Sequence, residues 1–143
     1  MYGNDRTSLR RVFFDAWDKY RQSAPLTGIE QRLIEVILQH PEYHAVLEDR
    51  ERYLDHDWSP DQGETNPFMH MSMHVSIEEQ LAIHSPQGID RHLRRLLEME
   101  GDRHAALHRM IDCLAEALWK AQRYETSDLE ETYLACLEKL GRS

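Results

Sequence analysis

Apolar residues recur at intervals of three and four along nearly the whole chain, and that period belongs to the α-helix. No alternating run of β-branched residues is long enough to make a convincing strand. A first helix is expected from about Ser8 to Arg21, with Val12, Phe13, Ala16, Trp17 and Tyr20 on one stripe, and SAPLTG breaks it. Thr27 and Glu30 have the spacing of a capping box, which opens a helix with Leu33, Ile34, Ile37 and Leu38 inward. Pro41 removes a backbone donor and disfavours helical backbone at His40, so this helix should bend or break between Leu38 and Glu42. A short segment continues to about Asp49, and the charged stretch 50–65, with Trp58, Pro60 and Gly63, reads as the longest loop.

Asn66 is placed to cap the next helix, with Pro67 in its first turn and an end near Ile83. Helical patterns follow over Ile89 to Glu100, then, after a break at Gly101, over Asp102 to Arg123. Ser127 and Glu130 have the spacing of a second capping box, for a last helix reaching about Leu140. The expected fold class is all-α, a helical bundle of about five to six helices with a four-helix-like core, in a single domain over 1–143.

Charge narrows the partners. The formal net charge is −9 and no basic cluster stands out, which argues against a nucleic-acid or acidic-membrane partner. No apolar run approaches the roughly 18 residues of a membrane span. MYGNDRTSLRR lacks the apolar core of a signal peptide, so the cytoplasm is the expected location. Two cysteines, Cys113 and Cys136, are then expected as reduced, buried thiols within helices.

Histidine is the unusual residue, with nine copies. His40 and His44, His70 and His74, and His104 and His108 are each four apart, where scattering at random would give about half of one such pair. Positions four apart differ by about 40° around a helix and lie one turn apart, so both imidazoles can reach one ion. A carboxylate stands four residues after each pair, at Glu48, Glu78 and Asp112. His104, His108, Ile111, Ala115 and Leu118 form an inward stripe, as do His70, His74, Ile77 and Leu81. Glu30 lies on the apolar stripe of its helix, where a nearby cation would remove the cost of its charge.

The pattern therefore reads as a metal site formed by His40, His44, His70, His74, His104 and His108, with Glu30, Glu78 and Asp112 beside it. A metal-free polar core is the competing reading. His56, His84 and His92 are expected on the surface. Met69, Met71 and Met73 suggest copper by their thioethers, but residues two apart diverge by about 200° on a helix, so core packing is expected of them instead.

HPEYH at 40–44, NPFMHMSMH at 66–74, EEQ at 78–80, GDRHAALH at 101–108 and LWKAQR at 118–123 together resemble the proteobacterial DUF1841 family, whose resemblance implies no activity. The chain is also similar, more weakly, to hemerythrin-like non-haem di-iron bundles, through His-x-x-x-His and through His-x-x-x-Glu at His44–Glu48 and His74–Glu78. It departs from them in its first helix, which has no histidine, and in the His104-x-x-x-His108-x-x-x-Asp112 run.

The expected function is a metal-binding helical-bundle protein with a histidine-rich, dinuclear site for a transition metal, iron favoured, related to O₂ or redox chemistry. Zinc, copper and haem are the other cofactors weighed. One alternative is a mononuclear zinc enzyme using three histidines. The other is a metal-free acidic interaction module with an exposed Trp58 on its contact surface. The expected partner is the metal ion, and a homo-oligomer is compatible with the sequence. No nucleophile constellation, phosphate loop or dinucleotide fingerprint is present to name a substrate.

Overall fold

A computed structural model describes residues 5–59 and 63–142, with the side chains of Asp5 and Arg6 excepted. Residues 1–4, within the stretch read for a signal peptide, and Pro60 of the expected loop lie outside the described residues. Among the described residues the regular structure is helical throughout, so the fold is all-α as expected. The chain forms two compact units, residues 1–75 and 76–143. No helix among the described residues is long and apolar enough to cross a membrane.

In the first unit, α1 (Asp5–Arg21) buries Phe13, Phe14, Ala16 and Trp17, and with them Arg10. The buried stripe is thus shifted from the expected one, and Val12 and Tyr20 face outward. Arg10 explains the shift. Its Nη1 donates to the carbonyls of Leu54 (3.0 Å) and His56 (2.7 Å), and more weakly to that of Tyr53 (3.3 Å). Its guanidinium also lies over the rings of Trp58 (5.0 Å) and Phe68 (5.3 Å). A planar cation can satisfy carbonyls left over at a helix end while its faces stay apolar, which is how a charge is tolerated there. Trp58 is accordingly half-buried against Phe68 and Tyr53, not exposed.

The Thr27 capping box forms in full. Glu30 N donates to Thr27 Oγ1 (3.3 Å) and Thr27 N to Glu30 Oε1 (2.9 Å), opening α2 (Gly28–Leu38). Leu33, Ile34, Val36 and Ile37 are buried, whereas Leu38, expected inward, is 46% exposed. The helix stops at Leu38, His40 takes a non-helical backbone before the proline, and Pro41–Tyr43 form a single 3₁₀ turn with the proline at its start. The stretch expected as a loop contains two short helices together with the segment before it, α3 (His44–Leu47) and α4 (Arg50–Tyr53). Asn66 Oδ1 accepts from the backbone of Phe68 (2.9 Å) and Met69 (3.2 Å), and α5 runs Pro67–Ile83.

The second unit packs α6 (Ile89–Glu100), α7 (Arg103–Tyr124) and α8 (Leu129–Gly141) against one another. Gly101 ends α6 at φ 74°, a conformation that costs glycine little, and Asp102 then caps α7 through Ala105 N (2.9 Å). The second capping box does not form: α8 begins after Asp128, with no side-chain cap. Two further expectations are overturned here. Cys113 and Cys136 are not thiols but a disulfide joining α7 to α8, because the packing of those helices brings their Cα atoms to 5.6 Å. His92 is not on a wet face but 4% exposed within α6, which is amphipathic with His92 on its buried side beside Ile89 and Leu96.

Candidate metal centre

Three histidines converge in the first unit. His74, one turn after His70 on α5, has its Nε2 3.2 Å from His70 Nε2 and 3.1 Å from His40 Nε2. His40 and His74 are almost wholly buried, at 0% and 1% exposure, and His70 is half-buried. The backbone break at Pro41 aims His40. Freed from the helix, its ring turns so that Nδ1 sits 2.8 Å from the Val36 carbonyl. A carbonyl only accepts, so Nδ1 donates there, and the neutral ring then presents a lone pair at Nε2. This is the tautomer lock that metal-bound imidazoles ordinarily carry. Tyr43 stacks on His40, with ring centroids 5.4 Å apart and planes 7° from parallel. Burial, with a smaller push from Glu42, raises the Tyr43 phenol above its ordinary range and keeps it neutral.

The distances fit a shared ion. Two nitrogens each about 2.0–2.1 Å from one metal stand about 2.9 Å apart at a right angle and about 3.3 Å apart at the tetrahedral angle. The observed 3.1 and 3.2 Å fall between these. Direct hydrogen bonding serves the trio less well, since His74 Nε2 carries at most one proton for two neighbouring nitrogens.

His44 does not join them. Its Nε2 lies 2.9 Å from the Ile37 carbonyl and its ring packs on Trp17 at 4.6 Å. The spacing of four places two residues on one face only within a continuous helix, and the 3₁₀ turn between His40 and His44 ends that relation. Glu30 is engaged elsewhere: Oε2 receives Lys19 Nζ at 2.7 Å and Oε1 closes the capping box. The Lys19 bond and the Thr27 amide hold its carboxyl below the usual range. Its expected cation is thus a lysine. Glu48 pairs with Arg21 at 2.9 Å.

In the second unit His104 and His108 lie one turn apart at the start of α7, half-buried, with ring centroids 4.2 Å apart. This pair keeps the face relation that His40 and His44 lose, because α7 is unbroken there. Glu78 makes a two-pronged salt bridge to Arg103, each bond 2.9 Å, and Asp112 is exposed. Of the other histidines, His84 is exposed and bonded to Asp90 (2.6 Å), and His56 is half-buried against Trp58. Of the three methionines around His70 and His74, Met71 is fully in the core, while Met69 is exposed and Met73 half-buried.

Tyr43 and Arg10 were not singled out from the sequence. Tyr43 had a signal, its place inside HPEYH, whereas Arg10 had none, since its acceptors are more than forty residues away in sequence.

The fold and these side chains define an all-helical protein with clustered imidazoles. The chain belongs to the family described as Domain of unknown function (DUF1841), which it matches over residues 5–139. Comparison with curated proteins and with solved structures finds no match.

Proposed function

We propose that this is a transition-metal-binding protein whose ion is held by Nε2 of His40, His70 and His74. The observation that carries the reading is the approach of three Nε2 atoms, at 3.1 and 3.2 Å, with His40 locked by Val36 in the ligating tautomer. Within the second unit, His104 and His108 have on α7 the spacing that suits a metal. In this reading Glu30, Glu78 and Asp112 are not ligands, since the first two spend their charge on Lys19 and Arg103.

That engagement favours a nitrogen-ligated centre over a carboxylate-bridged di-iron one, and brings the mononuclear reading forward. Imidazole sets serve zinc, copper, iron and nickel, and a position left to water would lower the pKa of that water and make it a nucleophile at neutral pH. Iron with O₂ or redox chemistry is the reading that the hemerythrin-like spacing favours. The interaction-module reading has less support, because Trp58 packs inside its own unit.

The deciding experiment is elemental analysis with an optical spectrum on protein expressed with iron and zinc both supplied. A whole-number metal content, lost on chelation together with a fall in Tm, is the expected result. Metal-free protein that takes up neither ion on titration overturns the proposal.

A further inference from the structure

We infer that the Cys113–Cys136 disulfide is a site of thiol–disulfide exchange, entered through Cys136. The two cysteines differ in access. Cys113 is buried at 1% exposure on α7, whereas Cys136 on α8 is half-buried and lines an open cleft of about 320 Å³ between the two helices. Glu116, Lys120, Thr132 and Lys139 share that cleft, so a thiolate arriving there meets two lysine side chains against one carboxylate. Lys120 is itself paired with Glu116 at 3.4 Å. Nearby cations favour a thiolate, both the incoming one and that of Cys136 once released.

The bond is also not what holds the helices together. Leu114 and Ala117 on α7 and Tyr133 and Leu137 on α8 are buried, and Tyr133 Oη donates to Gln80 Oε1 at 2.9 Å. An apolar seam of this kind keeps α8 in place when the sulfurs part, so exchange can run on the folded protein. A disulfide serving only as a staple would be sealed by the fold and reduced only on unfolding.

The electron balance is that of ordinary exchange with a dithiol. A dithiol thiolate attacks Cys136 Sγ, forming a mixed disulfide and breaking the bond to Cys113. Cys113 leaves as a thiolate and takes a proton from water. The second thiol of the reagent then attacks its own sulfur in the mixed disulfide, leaves as the cyclic disulfide, and releases Cys136. The protein gains two electrons and the dithiol loses two. In the reverse direction Cys136 is the nucleophile toward a small disulfide, and Cys113 resolves the adduct.

The test uses the full chain without denaturant, with a chelator present. Glutathione is added to the oxidised protein, the mixture is quenched with acid at intervals, and the site of the adduct is read by peptide mass spectrometry. Helix content is followed by circular dichroism. The expected outcome is a mixed disulfide on Cys136, at least about tenfold more than on Cys113, with helix content unchanged. Cys113→Ser should form the same adduct with glutathione disulfide, while Cys136→Ser should resist it until denaturant is added. Reduction that appears only at denaturant concentrations where the helices melt, or a first adduct on Cys113, overturns the inference. So does protein that carries two thiols as purified and is not oxidised by glutathione disulfide. The wild-type reading stands by itself if either variant fails to fold.

Discussion

The Nε2 atoms of His40 and His74 stand 3.1 Å apart with both rings almost wholly buried. Two neutral imidazoles satisfy such an approach only if one donates, and His40 has already given its proton to Val36 at the other nitrogen. A metal between the rings would use both lone pairs. If it does, His74→Ala and His40→Ala should each lower bound metal by at least tenfold, whereas His84→Ala should leave it unchanged. His84 is the control because it is exposed and already bonded to Asp90. Metal content is read by elemental analysis after gel filtration, and full occupancy in both buried variants would sink the site.

Glu30 separates ligand from structural roles. Glu30→Gln keeps an acceptor for the Thr27 amide but loses the charge that Lys19 meets, so metal content should be unchanged and stability should fall slightly. Its lowered pKa means this stabilisation is present above the ordinary value of 4.5 and is lost as pH falls below it. Thr27→Ala removes the cap itself and should cost about 1 kcal/mol in urea denaturation. A drop in metal content with Glu30→Gln would restore Glu30 as a ligand.

His92 should make the protein acid-sensitive. Burial first, then Arg91, pushes its pKa below the ordinary 6.5, with Glu138 opposing and Arg95 adding. Its Nδ1 is buried with no hydrogen-bond partner among the described residues. In the unfolded chain the ring protonates near 6.5, while in the folded chain it stays neutral to lower pH. Stability contributed by the neutral ring is therefore present above 6.5 and lost as pH falls from there through the lowered folded value. Urea melts between pH 8 and pH 5, roughly the range where histidine changes charge, should show a shallower decline for His92→Gln than for the wild type. Equal slopes would refute this.

Reducing the Cys113–Cys136 bond should lower stability by about 3 kcal/mol, on the chain-entropy argument for a separation of 23 residues. Denaturant midpoints with and without a dithiol measure it. The helix content below the transition should not change, since the α7–α8 seam is apolar.

The sequence by itself determined the features whose causes lie within about four residues. The capping at Thr27 and Asn66, the stop before Pro41 and the break at Gly101 each follow from local backbone bonds and dihedral limits, and each stands as expected. The cap at Ser127 shows the limit of that logic, because a spacing permits a cap without requiring the turn that would use it. Only the tertiary structure decided which polar groups meet. It separated His44 from His40 by a 3₁₀ turn, gave Glu30 to Lys19 and Glu78 to Arg103, buried Arg10 under Trp58, turned His92 inward and joined Cys113 to Cys136. The physical reason is that a buried charge or ring nitrogen is satisfied by whatever group packing brings within about 3 Å. That group is chosen by the docking of helices distant in sequence, which a periodic pattern along one helix does not encode.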